Sequence, residues 1–163
     1  MLRERGLLMK ILVLSDSHGV TDMLEAILRK ERDADIIIHL GDGGADMLMM
    51  NHLTAGKPVY QIKGNCDISA YNFSPKLISS VEDIRFFACH GHMYNVKYDV
   101  TALYFAASEA NCSLALFGHT HIQFSEDYKG VTLFNPGSVM DGKYGTVTVN
   151  GKDIKTEHKK TEI

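Results

Sequence analysis

Ile11-Leu12-Val13-Leu14-Ser15-Asp16-Ser17-His18-Gly19 is the stretch on which the fold turns. Its four consecutive apolar residues read as a short strand buried on both faces. The polar tail, closed by a glycine, reads as a loop leaving the carboxyl end of that strand. Directly beyond it, Val20, Met23, Leu24, Ile27 and Leu28 recur at the spacing of an amphipathic helix. Strand, loop and helix in that order are the start of an α/β unit.

Working outward, residues 36–40 and 59–62 read as the next two strands, with a methionine-rich helix around residues 45–51 between them. Met47, Met49 and Met50 are expected to fill core space, the usual role of this flexible side chain. In the second half, residues 84–89 and 114–117 read as strands, and Val96, Val100, Leu103, Tyr104 and Ala107 mark one more helix. Lys129-Gly130, Asp141-Gly142 and Asn150-Gly151 then punctuate short alternating segments as turns and hairpins. Because strand–helix units give way to hairpins, the pattern predicts one α/β domain over residues 9–163 containing two sheets.

Bulk properties narrow the function classes. The chain has 163 residues, 45% of them hydrophobic, and a net charge of −3. Its mild acidity argues against stable binding of nucleic acid through a basic surface, though not against a nucleotide substrate if a metal supplies the positive charge. No apolar run approaches the ~18 residues of a membrane span. Cys66, Cys89 and Cys112 show no CxxC spacing, so reduced thiols and a cytoplasmic setting are expected. Arg3 and Arg5 before an apolar stretch imitate a signal peptide, but Lys10 interrupts that stretch and no small-residue cleavage site follows. Residues 1–8 are therefore read as a start-site extension or a disordered tail.

Five expected strands end alike. The first ends in Ser15-Asp16-Ser17-His18-Gly19, the second in Gly41-Asp42-Gly43 and the third in Gly64-Asn65-Cys66-Asp67. The fourth ends in His90-Gly91-His92 and the fifth in Gly118-His119-Thr120-His121. Singly, each is weak, because an Asp or Asn after a strand is commonly a turn former or a helix cap. Together they are not, since ligands in open α/β sheets bind beyond the carboxyl ends of the strands. Five of the eight histidines fall in these loops, whereas chance would scatter them; His39 reads as a core residue, and His52 and His158 have no supporting context.

The donors have a common chemistry. Carboxylate, imidazole and amide oxygen suit Mn²⁺ above all, with Ni²⁺, Zn²⁺, Fe or Co²⁺ as alternatives. Asp16, His18, Asp42, Asn65, His90, His119 and His121 exceed what one ion needs, so two divalent ions are the economical reading. Two such ions, less the charges of Asp16 and Asp42 and of a hydroxide, leave a net positive site suited to a phosphoester.

These motifs resemble the calcineurin-like metallophosphoesterases, nearest to the small bacterial and archaeal YfcE-like phosphodiesterases, from about Met9 to Tyr144. The resemblance implies a two-sheet α/β/β/α sandwich. It implies one metal on Asp16, His18 and His121, another on Asn65, His90 and His119, and Asp42 bridging them. It further implies hydrolysis of a small phosphoester, as a phosphodiesterase, by attack of a metal-bridging hydroxide, with Asp42, Asn65, Cys66 and His90 as the catalytic set. Asn135-Pro136-Gly137-Ser138 matches the family's structural turn after the site. Many members carry His where this chain has Cys66. A neutral thiol is a poorer general acid than an imidazolium, so esters with good leaving groups are expected to be preferred. Alternatively Cys66 packs under its loop.

Other assignments stay open on sequence alone. His92 is a phosphate contact, a supporting residue or a spacer bonded to backbone. Asp67 orients a ligand histidine or caps a turn. Tyr71, Phe73, Tyr94 and Tyr98 line the specificity loops or belong to the core or a subunit interface, and a homo-oligomer is compatible with the sequence. Two rivals stand beside the phosphodiesterase: a non-catalytic metal-binding scaffold on the same fold, and a two-metal hydrolase of another substrate class such as an amidase.

Overall fold

In the computed structural model, which describes residues 8–68 and 72–163, the opening apolar run forms β1 (Met9–Leu14). Most of the expected extension, residues 1–7, and Tyr71 lie outside the described residues. Successive side chains of a strand point to opposite faces, and β1 divides accordingly: Ile11 and Val13 join one core, Leu12 and Leu14 another. The next elements are α1 (Thr21–Lys30) and β2 (Ile36–His39), followed by a 3-10 turn (Leu48–Met50), α2 (Asn51–Thr54) and β3 (Val59–Gln61). Then come β4 (Lys76–Val81), β5 (Ile84–Cys89), α3 (Thr101–Glu109), β6 (Leu114–Leu116), β7 (Phe124–Tyr128), β8 (Val131–Asn135), β9 (Lys143–Asn150) and β10 (Asp153–Lys160).

The strands make two five-stranded sheets, β10-β9-β1-β2-β3 and β4-β5-β6-β8-β7. Three hydrophobic clusters fill the three gaps between four layers. One lies between the sheets, with Ile11, Val13, Ile38, Phe86, Leu116 and Phe134. A second seats α1 on the outer face of the first sheet through Leu24, Ile27 and Leu28. The third seats α3 on the outer face of the second through Leu103 and Ala107. The expected α/β/β/α sandwich is the observed one.

One local expectation is corrected and one strand is added. The methionine-rich segment is not a helix over 45–51 but a turn, a 3-10 turn and then the short α2. With three residues per turn, positions three apart share a face. Met47 and Met50 are thus 4% exposed, whereas Met49 points outward at 61% and fills no core. The edge strand β4 was unmarked in the sequence, because Lys76-Leu77-Ile78-Ser79-Ser80-Val81 is amphipathic only weakly and pairs on one side, with β5.

Candidate metal centre

β1, β2 and β3 run parallel in the first sheet, and β5 and β6 run parallel in the second, so the five carboxyl ends meet at one edge. Backbone bonds stitch the loops together. The Asp16 N–H donates to Gly41 O (2.9 Å), the His18 N–H to Asp42 O (3.0 Å), and the Gly118 N–H to His90 O (2.8 Å). His90 Nδ1 reaches Leu40 O at 2.8 Å, tying the second sheet to the first.

The predicted ligands are gathered by this convergence. Asp16, His18 and His121 offer donor atoms within 4.8 Å of one another, and so do Asp42, His90 and His119. Asp16 Oδ1 is faced by three imidazole nitrogens: His121 Nε2 at 3.1 Å, His18 Nε2 at 3.5 Å and His90 Nε2 at 3.8 Å. Asp42 Oδ2 is faced by His90 Nε2 at 3.2 Å and His18 Nε2 at 3.8 Å, which joins the two groups. Asn65 is exposed on the neighbouring loop, where its Nδ2 donates to Cys66 Sγ at 3.6 Å. The second oxygen of each aspartate is held elsewhere. Asp16 Oδ2 accepts from Ser15 Oγ (2.6 Å) and the His119 N–H (3.1 Å), and Asp42 Oδ1 accepts from the Cys66 N–H (2.7 Å). Each carboxylate is thereby aimed, one oxygen anchored and one left to the imidazoles.

His90 shows what the arrangement suits. The Leu40 carbonyl can only accept, so His90 Nδ1 carries the ring proton and a neutral ring presents a bare lone pair at Nε2. That atom is buried and makes no hydrogen bond, although it points at a carboxylate. A lone pair facing an anion is a poor contact unless a cation sits between them, and a backbone carbonyl on the far nitrogen is a common support for a metal-bound histidine. The donor set therefore fits a divalent cation. Burial opposes the charged form of His90, but the Asp42 and Asp16 carboxylates outweigh it and raise its pKa. Burial also works against the charged form of Asp42, and the His90 ring and the Cys66 N–H reverse this to hold its pKa well below the usual range. Burial, helped by His90 and Lys97, lowers His119 to about 4, so that ring keeps a free lone pair at neutral pH.

The backbone is strained at these positions. Asp16 (φ 57°), His18 (46°), Asp42 (58°), His119 (70°) and His121 (62°) are left-handed, five of the nine non-glycine residues with positive φ among those described. Such conformations persist where surrounding structure over-determines them, and they gather at functional sites. Close approach demands glycine at two points. A Cβ on Gly64 would lie 2.1 Å from Asp42 Oδ1, and one on Gly118 would lie 2.0 Å from Ser15 Oγ.

A second layer of contacts fixes the loops. Asp67 turns out to orient backbone and not a histidine: its carboxylate accepts the N–H groups of Asp42 (2.9 Å), Gly64 (2.7 Å) and Gly44 (2.7 Å). Asn135 Nδ2 donates to Gly118 O and to Thr120 Oγ1, each at 3.0 Å, while Ser138 Oγ donates to Asp16 O at 2.9 Å. The Asn135–Ser138 turn thus clamps two ligand loops. His39 is a satisfied core residue, as expected: Nδ1 accepts the Gly41 N–H (3.1 Å), and Nε2 meets Ser17 Oγ (3.0 Å), which donates to Asp46 (2.7 Å). Ser15, Ser17 and Asp46 escaped sequence reasoning. Asp46 gave no signal of its own, since its partners, Ser17 and the Gly19 N–H, are 29 and 27 positions away.

The open assignments resolve geometrically. Cys66 is exposed and its Sγ lies within 4.8 Å of donor atoms of His18 and Asp42, so it does not pack under the loop. Burial and the Asp42 carboxylate raise its pKa, keeping the thiol neutral. His92 sits in a 3-10 turn (His92–Tyr94) with its ring 5.5 Å from His90 and 6.1 Å from His119, and its Nδ1 has no hydrogen bond. That rules out a spacer bonded to backbone through Nδ1. Tyr94 packs edge-on against Phe87 in the third cluster, but Tyr98 is 90% exposed. His158, which had no context in sequence, stacks on Phe134 at 4.8 Å and bonds Asn135 O.

A two-sheet sandwich with aspartates and histidines gathered at one edge defines a class of metal-dependent hydrolase folds. Residues 9–156 match the calcineurin-like phosphoesterase superfamily domain, and the chain belongs to that superfamily. It is 34% identical over 132 residues to the probable metallophosphoesterase YsnB of Bacillus subtilis, covering 80% of this chain and 75% of that one. Against the phosphodiesterase YfcE of Escherichia coli K12 the identity is 26% over 160 residues, covering 85% and 83%. A predicted phosphoesterase of Streptococcus pneumoniae TIGR4 shares the fold with a TM-score of 0.77 at 23% identity, covering 94% of this chain and 90% of that one. Vps29 of Cryptosporidium parvum shares it with a TM-score of 0.75 at 13% identity, covering 96% and 99%.

Proposed function

We propose that this protein is a two-metal phosphodiesterase, acting as a single domain over residues 9–163 on a small phosphate diester. Asp16, His18 and His121 hold one divalent ion, Asn65, His90 and His119 hold the other, and Asp42 bridges them. The observation that carries the reading is the buried, unpartnered His90 Nε2 facing Asp42 Oδ2, with the opposite nitrogen fixed by Leu40 O. Divalent ions bound by these residues would supply a hydroxide at neutral pH and positive charge for the displacement. Mn²⁺ is the expected metal, because the donors are oxygen and imidazole and the nearby Cys66 thiol is held neutral.

The chain's own groups do the rest. Asp42 turns Oδ2 toward His90 and His18, and Asn65 and Cys66 stand on the adjoining loop, where Cys66 Sγ, within 4.8 Å of donor atoms of His18 and Asp42, would face the departing group. A neutral thiol gives its proton up slowly to an alkoxide, so leaving groups that need no proton are favoured. The unpaired state of Cys66, Cys89 and Cys112 agrees with a reducing, cytoplasmic setting. The scaffold alternative is disfavoured because the sequence relatives are a probable metallophosphoesterase and a phosphodiesterase. Likeness to a phosphodiesterase favours phosphate over an amide substrate.

The test is an assay of metal-stripped protein with and without Mn²⁺. Bis(p-nitrophenyl) phosphate should be hydrolysed only with Mn²⁺, with about two ions bound per chain, and an alkyl diester at least about tenfold more slowly. Folded, Mn²⁺-loaded protein that cleaves neither ester would overturn the reading.

A further inference from the structure

Next to the metal centre lies a groove of about 560 Å³ between the segment that leads into α3 and the segment that leads into β7. Thr120, which separates the ligands His119 and His121, forms part of its wall, so groove and cradle share a border. Its lips are apolar and open: Tyr98 is 90% exposed and Ile122 67%, and Phe124 lines the same groove. Exposed aromatic and branched side chains bordering a catalytic cradle are the surface that a flat ring buries.

The charges along this groove select among flat ligands. Lys97 lines the groove, and Thr120 places the cradle of His119 and His121 on its border. β7 carries the groove away from the cradle, from Phe124 to Glu126, and Asp99 lines it as well. Asp99 Oδ1 accepts the Thr101 N–H at 3.0 Å. A single phosphate is therefore attracted at one end, and carboxylates accept hydroxyl or N–H donors further along. A second phosphate in the groove would meet Asp99 and Glu126 and be repelled. An uncharged flat ring joined to a hydroxyl-bearing sugar that carries one phosphate satisfies all of these conditions.

We infer that this groove seats the nucleoside of a nucleoside phosphodiester, the base between Tyr98 and Ile122 and the sugar hydroxyls toward Asp99 and Glu126. The placement of the phosphate rests on the phosphoesterase reading above; the placement of the nucleoside rests on the groove alone. Base stacking on an aromatic tolerates any base, so the groove selects a nucleoside and not a particular one.

Calorimetric titration of the Mn²⁺-loaded protein with inorganic phosphate, AMP and adenosine separates the two. AMP should bind at least tenfold more tightly than phosphate. Tyr98→Ala and Ile122→Ser, with unchanged melting temperatures, should erase that advantage while leaving phosphate affinity within twofold. Equal affinities for AMP and phosphate, or an advantage that survives in both variants, would overturn the inference. If phosphate does not bind, the phosphoesterase reading fails, and adenosine still decides the groove: binding lost in Tyr98→Ala supports it, and no binding to the unsubstituted protein overturns it.

Discussion

Glu31, under α1, and Asp42, at the end of β2, are each 4% exposed, yet their surroundings differ. Glu31 meets Lys10 Nζ at 2.7 Å, Lys159 Nζ at 3.0 Å and the Tyr144 hydroxyl at 2.8 Å. Two permanent cations and a donor hydroxyl neutralise it within the chain. Asp42 meets one backbone N–H and two imidazoles, whose charge is conditional, and the equally buried Asp16 beside it is also faced by imidazoles. A buried carboxylate is costly unless paired. The first cluster is complete by itself, whereas the second is complete only with cations from outside. The same fold thus holds a structural charge cluster and a functional one, and the nature of the partners tells them apart.

The sharpest way to break this contrast is Asp42→Ala. Mn²⁺-dependent phosphodiesterase activity should fall by at least about 10²–10³-fold, as when other aimed electrostatic groups are removed. The metal-free protein should melt close to the unsubstituted protein, while its stabilisation by added Mn²⁺ is lost. A metal-free melting temperature as low as that of a Glu31 variant would make both clusters structural.

Glu31→Gln is the converse. It should cost about 1.5–3 kcal/mol of stability, the scale of hydrogen bonds to a charged group, and leave turnover per folded molecule within twofold. Burial tends to raise the Glu31 pKa, but Lys10, Lys159 and Tyr144 win and lower it to about 2. A carboxylate depressed in the folded state contributes stability that is present above its ordinary pKa of 4.5 and lost as pH falls toward 2. Urea unfolding against pH should show that loss between those values in the unsubstituted protein and not in the variant.

His39, whose effect is confined to mildly acidic pH, refines the comparison. Burial, opposed by Asp16, Asp46 and Asp67, lowers its pKa to about 4 from 6.5. Its neutral form is the folded one, so stability is full above 6.5 and declines as pH falls toward 4, by at most roughly 1.4 kcal/mol per pH unit. In metal-free protein, His39→Gln should flatten that segment. A slope that persists unchanged would assign it to the cradle histidines instead.

Much of the candidate site was legible because its signal is local. Asp16, His18, Asp42, His90, His119 and His121 each follow a short apolar run, and a strand's carboxyl end is readable from period and composition alone. The strand–helix order of the first half and the hairpin turns of the second were enough for one domain with two sheets, and the four layers were implied by the resemblance to the metallophosphoesterases. The hairpin turn is confirmed at Lys129 and Gly130, both with positive φ, the conformation a tight β-hairpin requires.

Only the tertiary structure decided the rest, and the reason is distance along the chain. Asp67 secures Asp42 from 25 positions away, and Ser138 holds the Asp16 carbonyl from 122. No window of sequence contains both members of such a pair. Met49 faces solvent because Met47 and Met50, three positions apart, take the buried face of that segment and leave it on the other side. Residue type and periodicity determined which groups reach the edge of the sheets. Packing of one sheet on the other determined which carboxylate oxygen stays free, and which cluster is left needing a cation.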